Sequence, residues 1–165
     1  MATLGSRVSD KVVELLTAPD GLNAKVAALA AEEDLALGEF SERQVVPQNV
    51  ASEIAEKARE VRYPMLHVYC EKIRNQQREK FRSFSGFVEI TVEVRVSQDR
   101  LEGLERKLQL YGDAVMQVLD ANRGDWGAGM VYFGGYEAAF GMVKHGGRNF
   151  WQAVKVTFEV GVSRN

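Results

Sequence analysis

Polarity alternates most cleanly between Phe87 and Val96. Val88, Ile90, Val92, Val94 and Val96 take one side of an extended chain, and Glu89, Thr91, Glu93 and Arg95 take the other. That pattern predicts a half-buried antiparallel strand rather than one covered on both faces. The same period returns near the end of the chain in "FWQAVKVTFEVGV". There Val154, Val156, Phe158, Val160 and Val162 oppose Lys155, Thr157 and Glu159. The two segments match in length and pattern, so they are expected to pair. "PMLHVYCEKI", Pro64–Ile73, is rich in branched and aromatic residues and reads as a third strand.

A different period separates these strands. Leu101, Leu104, Leu108, Tyr111, Val115 and Val118 recur at spacings of three and four, which is one apolar helical stripe. Asp99 with Glu102 predicts its capped start, and Asn122 to Gly124 its end. Gly103 and Gly112 weaken it by about 1 kcal/mol each relative to alanine and mark places of close approach to the sheet. Upstream, Val12, Val13, Leu15 and Leu16 predict a helix with Ser9 or Asp10 as cap, closed by a turn at Ala18–Gly21. An alanine-rich helix from Leu22 follows, with Val26, Leu29 and Ala30 as its stripe. A short extended piece is expected at Gln44–Val46. A third N-terminal helix carries Val50, Ile54, Ala58 and Val61 on one face, between Asn49 and Pro64.

Strands apolar on one face, together with a long amphipathic helix, predict a two-layer α+β fold. The sheet, antiparallel or mixed, is covered on one face by helices, and the other face is polar. A length of 165 residues fits a single domain over 1–165, with a helical N-terminal part at 1–61 and a strand–strand–helix–strand core at 62–165. With 45% hydrophobic residues the chain has the means to build a core without disulfides or a structural metal. Its one cysteine, Cys70, excludes an internal disulfide and fits a reducing compartment. The first residues show no uninterrupted apolar stretch of the kind a secretory leader carries, and no run approaches the ~20 residues that span a bilayer, so no membrane partner is expected. A net charge of −2 gives no general attraction for nucleic acid.

Candidate chemistry is sparse. His67 and Cys70, three apart on a strand, point to opposite faces and make no dyad; His145 lies far along the chain. Two scattered histidines and one cysteine lack metal-ligand spacing. Neither a catalytic centre nor a cofactor is expected, and the protein is not expected to be an enzyme.

Two stretches stand out instead. Gly124–Arg148, "GDWGAGMVYFGGYEAAFGMVKHGGR", interleaves glycines with Trp126, Tyr132, Phe133, Tyr136 and Phe140. It lacks the Gly-Lys-Ser/Thr of a phosphate loop, and its strand–helix order is wrong for a dinucleotide fingerprint. Two compatible readings stand: a twisted hairpin bent at glycines with aromatics packed beneath it, or a projecting element that docks on another subunit. The second reading makes Trp126, Tyr132, Tyr136 and Arg148 candidate contacts. The stretch 72–82 sets Lys72, Arg74, Arg78, Lys80 and Arg82 against Glu79, with Phe81 and Phe84 close by. It reads as a solvated hairpin tip or as a nucleic-acid grip, in which Arg78, Lys80 and Arg82 would be contacts.

The order of parts from Tyr63 to Asn165, with the closing aromatic-Q-x-x-x-V-x-F-x-V pattern at Trp151–Val160, resembles the tail terminator (tail-completion) proteins of tailed bacteriophages. The long part before residue 62 departs from the smaller members. The resemblance implies a structural virion protein of the tail or neck, assembled in the bacterial cytoplasm. In that family the subunit forms a homohexameric ring that caps the tail tube and meets the head–tail connector or neck proteins. DNA would only pass through the lumen, and Glu89, Thr91, Glu93, Arg95, Thr157 and Glu159 are the candidate lumen face. The alternatives are another neck or head-completion protein, or a nucleic-acid-binding adaptor using residues 72–82.

Overall fold

The computed structural model describes residues 3–51, 62–146 and 148–165. The third N-terminal helix expected after Asn49 falls on residues 52–61, outside the described residues. Among those described, three helices pack against an eight-stranded mixed sheet, which is the expected α+β layering.

Helix α1, Leu4–Thr17, starts earlier than its apolar pattern indicates. Thr3 caps it, its hydroxyl accepting from the Ser6 amide, while Ser9 lies inside the helix and is buried. The turn at Ala18–Gly21 is present, closed by the Gly21 amide on the Ala18 carbonyl. Helix α2, Leu22–Glu33, ends where Asp34 turns left-handed at φ 51°. A single 3-10 turn, Glu42–Gln44, leads into the two-residue strand β1, Val45–Val46, parallel to the start of β2, Met65–Asn75.

Strands β2, β3 (Phe84–Gln98) and β8 (Asn149–Arg164) form the body of the sheet. β3 and β8 pair antiparallel from Phe84 opposite Arg164 to Gln98 opposite Phe150. The alternating valines of both strands face the helices and are buried, with Val88, Val92, Val94, Val154, Val156 and Val160 fully so. Helix α3, Leu104–Ala121, lays Leu104, Leu108, Tyr111, Val115 and Val118 onto them. Its start differs from the expected one. Gly103 precedes the helix with φ 79°, a left-handed conformation that suits glycine, and Leu101 is exposed outside it. Asp99 and Glu102 therefore do not form the cap; instead the Gln98 amide group donates to the Arg100 and Glu102 carbonyls. Gly112 does mark close approach: a Cβ there would meet Phe140 at 3.4 Å and Val154 at 3.6 Å.

The glycine-rich stretch supplies β4 (Gly124–Gly127), β5 (Met130–Tyr132), β6 (Glu137–Phe140) and β7 (Lys144–Gly146). β5, β6 and β7 pair in succession along the free side of β8, and β4 folds back on β5 with a register shift between Asp125 and Gly127. Glycines 124, 127, 129 and 134 take positive φ at its bends. No helix among the described residues is long and apolar enough to cross a membrane.

Candidate functional site

Three places carry polar or aromatic groups in excess of what folding alone explains: the second face of the sheet, the glycine-rich edge and the β2–β3 turn.

Alternation sends His67 and Tyr69 of β2 to the same face as Thr91, Glu93 and Arg95 of β3 and Lys155, Thr157 and Glu159 of β8, because His67 lies opposite Glu93 and Tyr69 opposite Thr91. That face is not open along its length. Glu93 is 3% and Arg95 6% exposed, and Thr91 is fully buried. Chain from the N-terminal part covers them. Arg95 Nη2 donates to the Val50 carbonyl at 2.6 Å, and His67 Nδ1 donates to the Gln48 carbonyl at 3.1 Å. Beneath that cover Glu93 accepts from Arg95 Nε and, at 3.3 Å, from the Tyr69 hydroxyl, with Lys155 Nζ at 3.7 Å. The Thr91 and Thr157 hydroxyls meet at 3.3 Å. Three of the six residues expected to line an open polar surface are thus interior. Their polarity is satisfied by one another, by Tyr69, Thr157 and Lys155, and by the Val50 carbonyl, as buried polar groups require. Glu89, Thr157 and Glu159 remain half-exposed, and Glu159 pairs with Arg74.

Burial, with the Arg95 charge beside it, lowers the pKa of His67 and favours the neutral ring, whose Nδ1 proton goes to the Gln48 carbonyl, while Nε2 has no hydrogen-bond partner among the described residues. Burial and the Glu93 carboxylate push the Tyr69 phenol up. The Glu93 carboxylate is already engaged by three groups. The arrangement is a clamp that holds residues 48–50 on the sheet and offers no free acid–base pair. Cys70 lies on the other face, against Gly5 of α1, and burial raises its pKa. No three potential metal ligands gather among the described residues.

At the glycine-rich edge the aromatics divide. Tyr132, a candidate contact by sequence, is 1% exposed; its ring packs between Trp126 and Phe158 at 5.5 and 5.4 Å, and its hydroxyl donates to the Gly135 carbonyl. It belongs to the core, and burial pushes its phenol up to about 12. Trp126 is half-buried, its indole N–H donating to the Asn122 carbonyl at 2.7 Å. Tyr136 stays at the surface with its hydroxyl on Asp120, and Arg148 is exposed. Phe133, Phe140 and Met142 add exposed apolar area along the same edge.

The β2–β3 turn projects from the body. From Glu71 to Phe81 every residue is exposed, Arg82 is half-buried, and Phe81 at the tip is 99% exposed. The turn is nevertheless built. The Asn75 side chain accepts from the Gln77 and Ser85 amides, the Ser85 hydroxyl accepts from the Glu79 amide, and Ser83 donates to the carbonyls of Arg164 and Asn165. Glu79 holds Arg82 at 3.1 Å, and the Arg78 guanidinium stacks 5.1 Å over the Phe87 ring. Lys72, Arg78 and Lys80 have no ion pair among the described residues.

His67, Tyr69 and the Gln48–Val50 cover were absent from the sequence-derived set. Alternation with Leu66 and Val68 is the signal that puts the first two on the polar face; Asn49 and Val50 were read as the start of a helix, so their place over the sheet was not foreseen. The sequence matches no model of a known protein family, and no curated protein matches it.

Proposed function

We propose that the protein is a ring-forming structural subunit of a phage tail or neck, acting as tail terminator. The observation that carries this reading is the outer edge of β2, unpaired among the described residues. β1 pairs only with Leu66 and His67, and no described strand pairs the outer side from Val68 to Asn75. Unpaired amides and carbonyls along a long edge strand favour association with another chain, and a head-to-tail contact that repeats by rotation closes into a ring. The other side of the sheet is protected by the glycine-rich strands, so association is biased to one edge. The sequence layout from Tyr63 to Asn165 supports the same reading, with the tail tube and the head–tail connector as partners. Under it, Glu89, Thr157 and Glu159 are what the polar face has left to present to DNA passing through, and excess carboxylate disfavours phosphate binding.

The basic turn keeps a second reading in view, a nucleic-acid adaptor gripping with Lys72, Arg78, Lys80 and Phe81. Native mass spectrometry of the protein, alone and with tail tube protein from the same source, tests the first: a discrete closed oligomer is expected, and a strict monomer indifferent to the tube removes it. Salt-dependent retention on DNA is the mark of the second.

A further inference from the structure

Phe81 is held in the open by a rigid turn at some cost. Its backbone is left-handed at φ 64°, a region that L residues other than glycine, asparagine and aspartate seldom adopt. No hydrophobic neighbour compensates, since the ring is 99% exposed. Around it stand Arg78, Lys80 and Arg82.

The opposite end of the same strand offers a complementary hollow. A cleft of about 530 Å³ opens between α1, α2 and β1, floored by Val13, Leu16, Leu22, Phe40, Val45 and Leu66. That volume lies in the ~300–1,000 Å³ range of clefts that take a sizeable apolar group. Glu42 lines it, and Asp20 and Glu39 are exposed close in sequence to Leu22 and Phe40, with Arg43 as the basic neighbour.

From Leu66 at the cleft to Asn75 at the base of the turn, the strand spans about 30 Å. A subunit therefore cannot insert its own Phe81.

We propose that the β2–β3 turn of one copy docks in the α1–α2 cleft of the next. Phe81 fills the apolar floor, and Lys80 and Arg78 meet Glu42 and its acidic neighbours. The contact rests on the ring reading and specifies its joint. Knob and hole sit at opposite ends of one strand, so in a head-to-tail arrangement the contact repeats from copy to copy, and a reciprocal two-copy pair with the same adduct overturns the ring. A turn already fixed by its own hydrogen bonds loses little freedom on docking.

The test places the photo-crosslinking residue p-benzoylphenylalanine at position 81 in a mixture of isotope-labelled and unlabelled protein, irradiated alone and with tail tube protein and DNA. The expected result is an adduct between labelled and unlabelled copies at Val13–Leu22 or Phe40–Pro47. Lys80→Glu is expected to weaken subunit association at least 10-fold, and Glu42→Lys in the same chain to restore it. Phe81, Lys80 and Glu42 are all exposed, and unchanged thermal melting separates lost association from misfolding. A closed oligomer without that adduct, or one unaffected by Lys80→Glu, overturns the joint and leaves the ring standing. Adducts to DNA or to tube protein instead also overturn it. A chain that stays monomeric with and without tube overturns both, and native mass spectrometry separates that outcome from the others.

Discussion

The two ends of the β2–β3 ladder share one alternating pattern and live in different surroundings. Near Met65–Tyr69 and Ile90–Val96 the valine face lies under α1 and α3, and the polar face lies under residues 48–50. Near Glu71–Asn75 the strand stands in solvent on both faces, and its charged groups pair loosely or not at all. The ladder hydrogen bonds are of the same kind at both ends. What differs is whether another part of the chain arrives to cover the side chains, and that decides what each group contributes. Identical chemistry is structural at one end and available at the other.

Matched substitutions sharpen this contrast. The largest effect is expected from Arg95→Ala, which strands the buried Glu93 carboxylate with weaker partners and releases Val50; a loss of about 3 kcal/mol in urea unfolding is expected. Its counterpart, Arg74→Ala, breaks the exposed pair with Glu159 and is expected to cost less than about 1 kcal/mol. A comparable loss for the two would break the comparison. Ile90→Ala is expected to cost about 2–4 kcal/mol by leaving a cavity under α3, whereas Ile73→Ala, half-exposed on the arm, should stay within about 0.5 kcal/mol.

Acidity probes the covered end further. The pKa of His67 is lowered in the folded protein, so the unfolded chain binds the proton more readily between that value and the ordinary 6.5. The associated stability is full above pH 6.5 and declines as the pH falls through the folded value. His67→Gln should flatten that part of the melting temperature profile between pH 7.5 and 5.5; an unchanged slope would remove His67 from the clamp. The smallest effect is expected from Phe81→Gly, which relieves the left-handed strain and loses no internal packing. A gain of about 0.5 kcal/mol is expected, set against the greater freedom glycine gives the unfolded chain.

Period alone was enough for β3, β8 and the stripe of α3, because each buries one face against a single layer and so writes its geometry into the order of residues, and β2 was legible from its branched and aromatic composition. The start of α3 escaped it. Asp99 and Glu102 have the spacing of a cap, but Gly103 breaks the helix before they can act. The glycine-rich stretch was legible as strand and bend, yet its role as cover for β8 depends on pairing with residues far along the chain. Tyr132 shows the limit most plainly. An aromatic among glycines looks available until Trp126 and Phe158 close around it. The polar face misled for a related reason: Glu93 and Arg95 carry charge, but Arg95 is held to the covering segment through the Val50 backbone carbonyl, a bond that no side-chain pattern announces.

β8 has hydrogen-bonded neighbours on both sides, β3 along one and β5, β6 and β7 in turn along the other, while among the described residues β2 is paired along one side beyond His67. In deuterated water this asymmetry becomes a clock. Amide protons of β8 should exchange only through rare, large openings, whichever way they point. Along Val68–Asn75 slow and fast protons should alternate, the fast set being those aimed away from β3. In an assembled ring that fast set is where the time constants would lengthen.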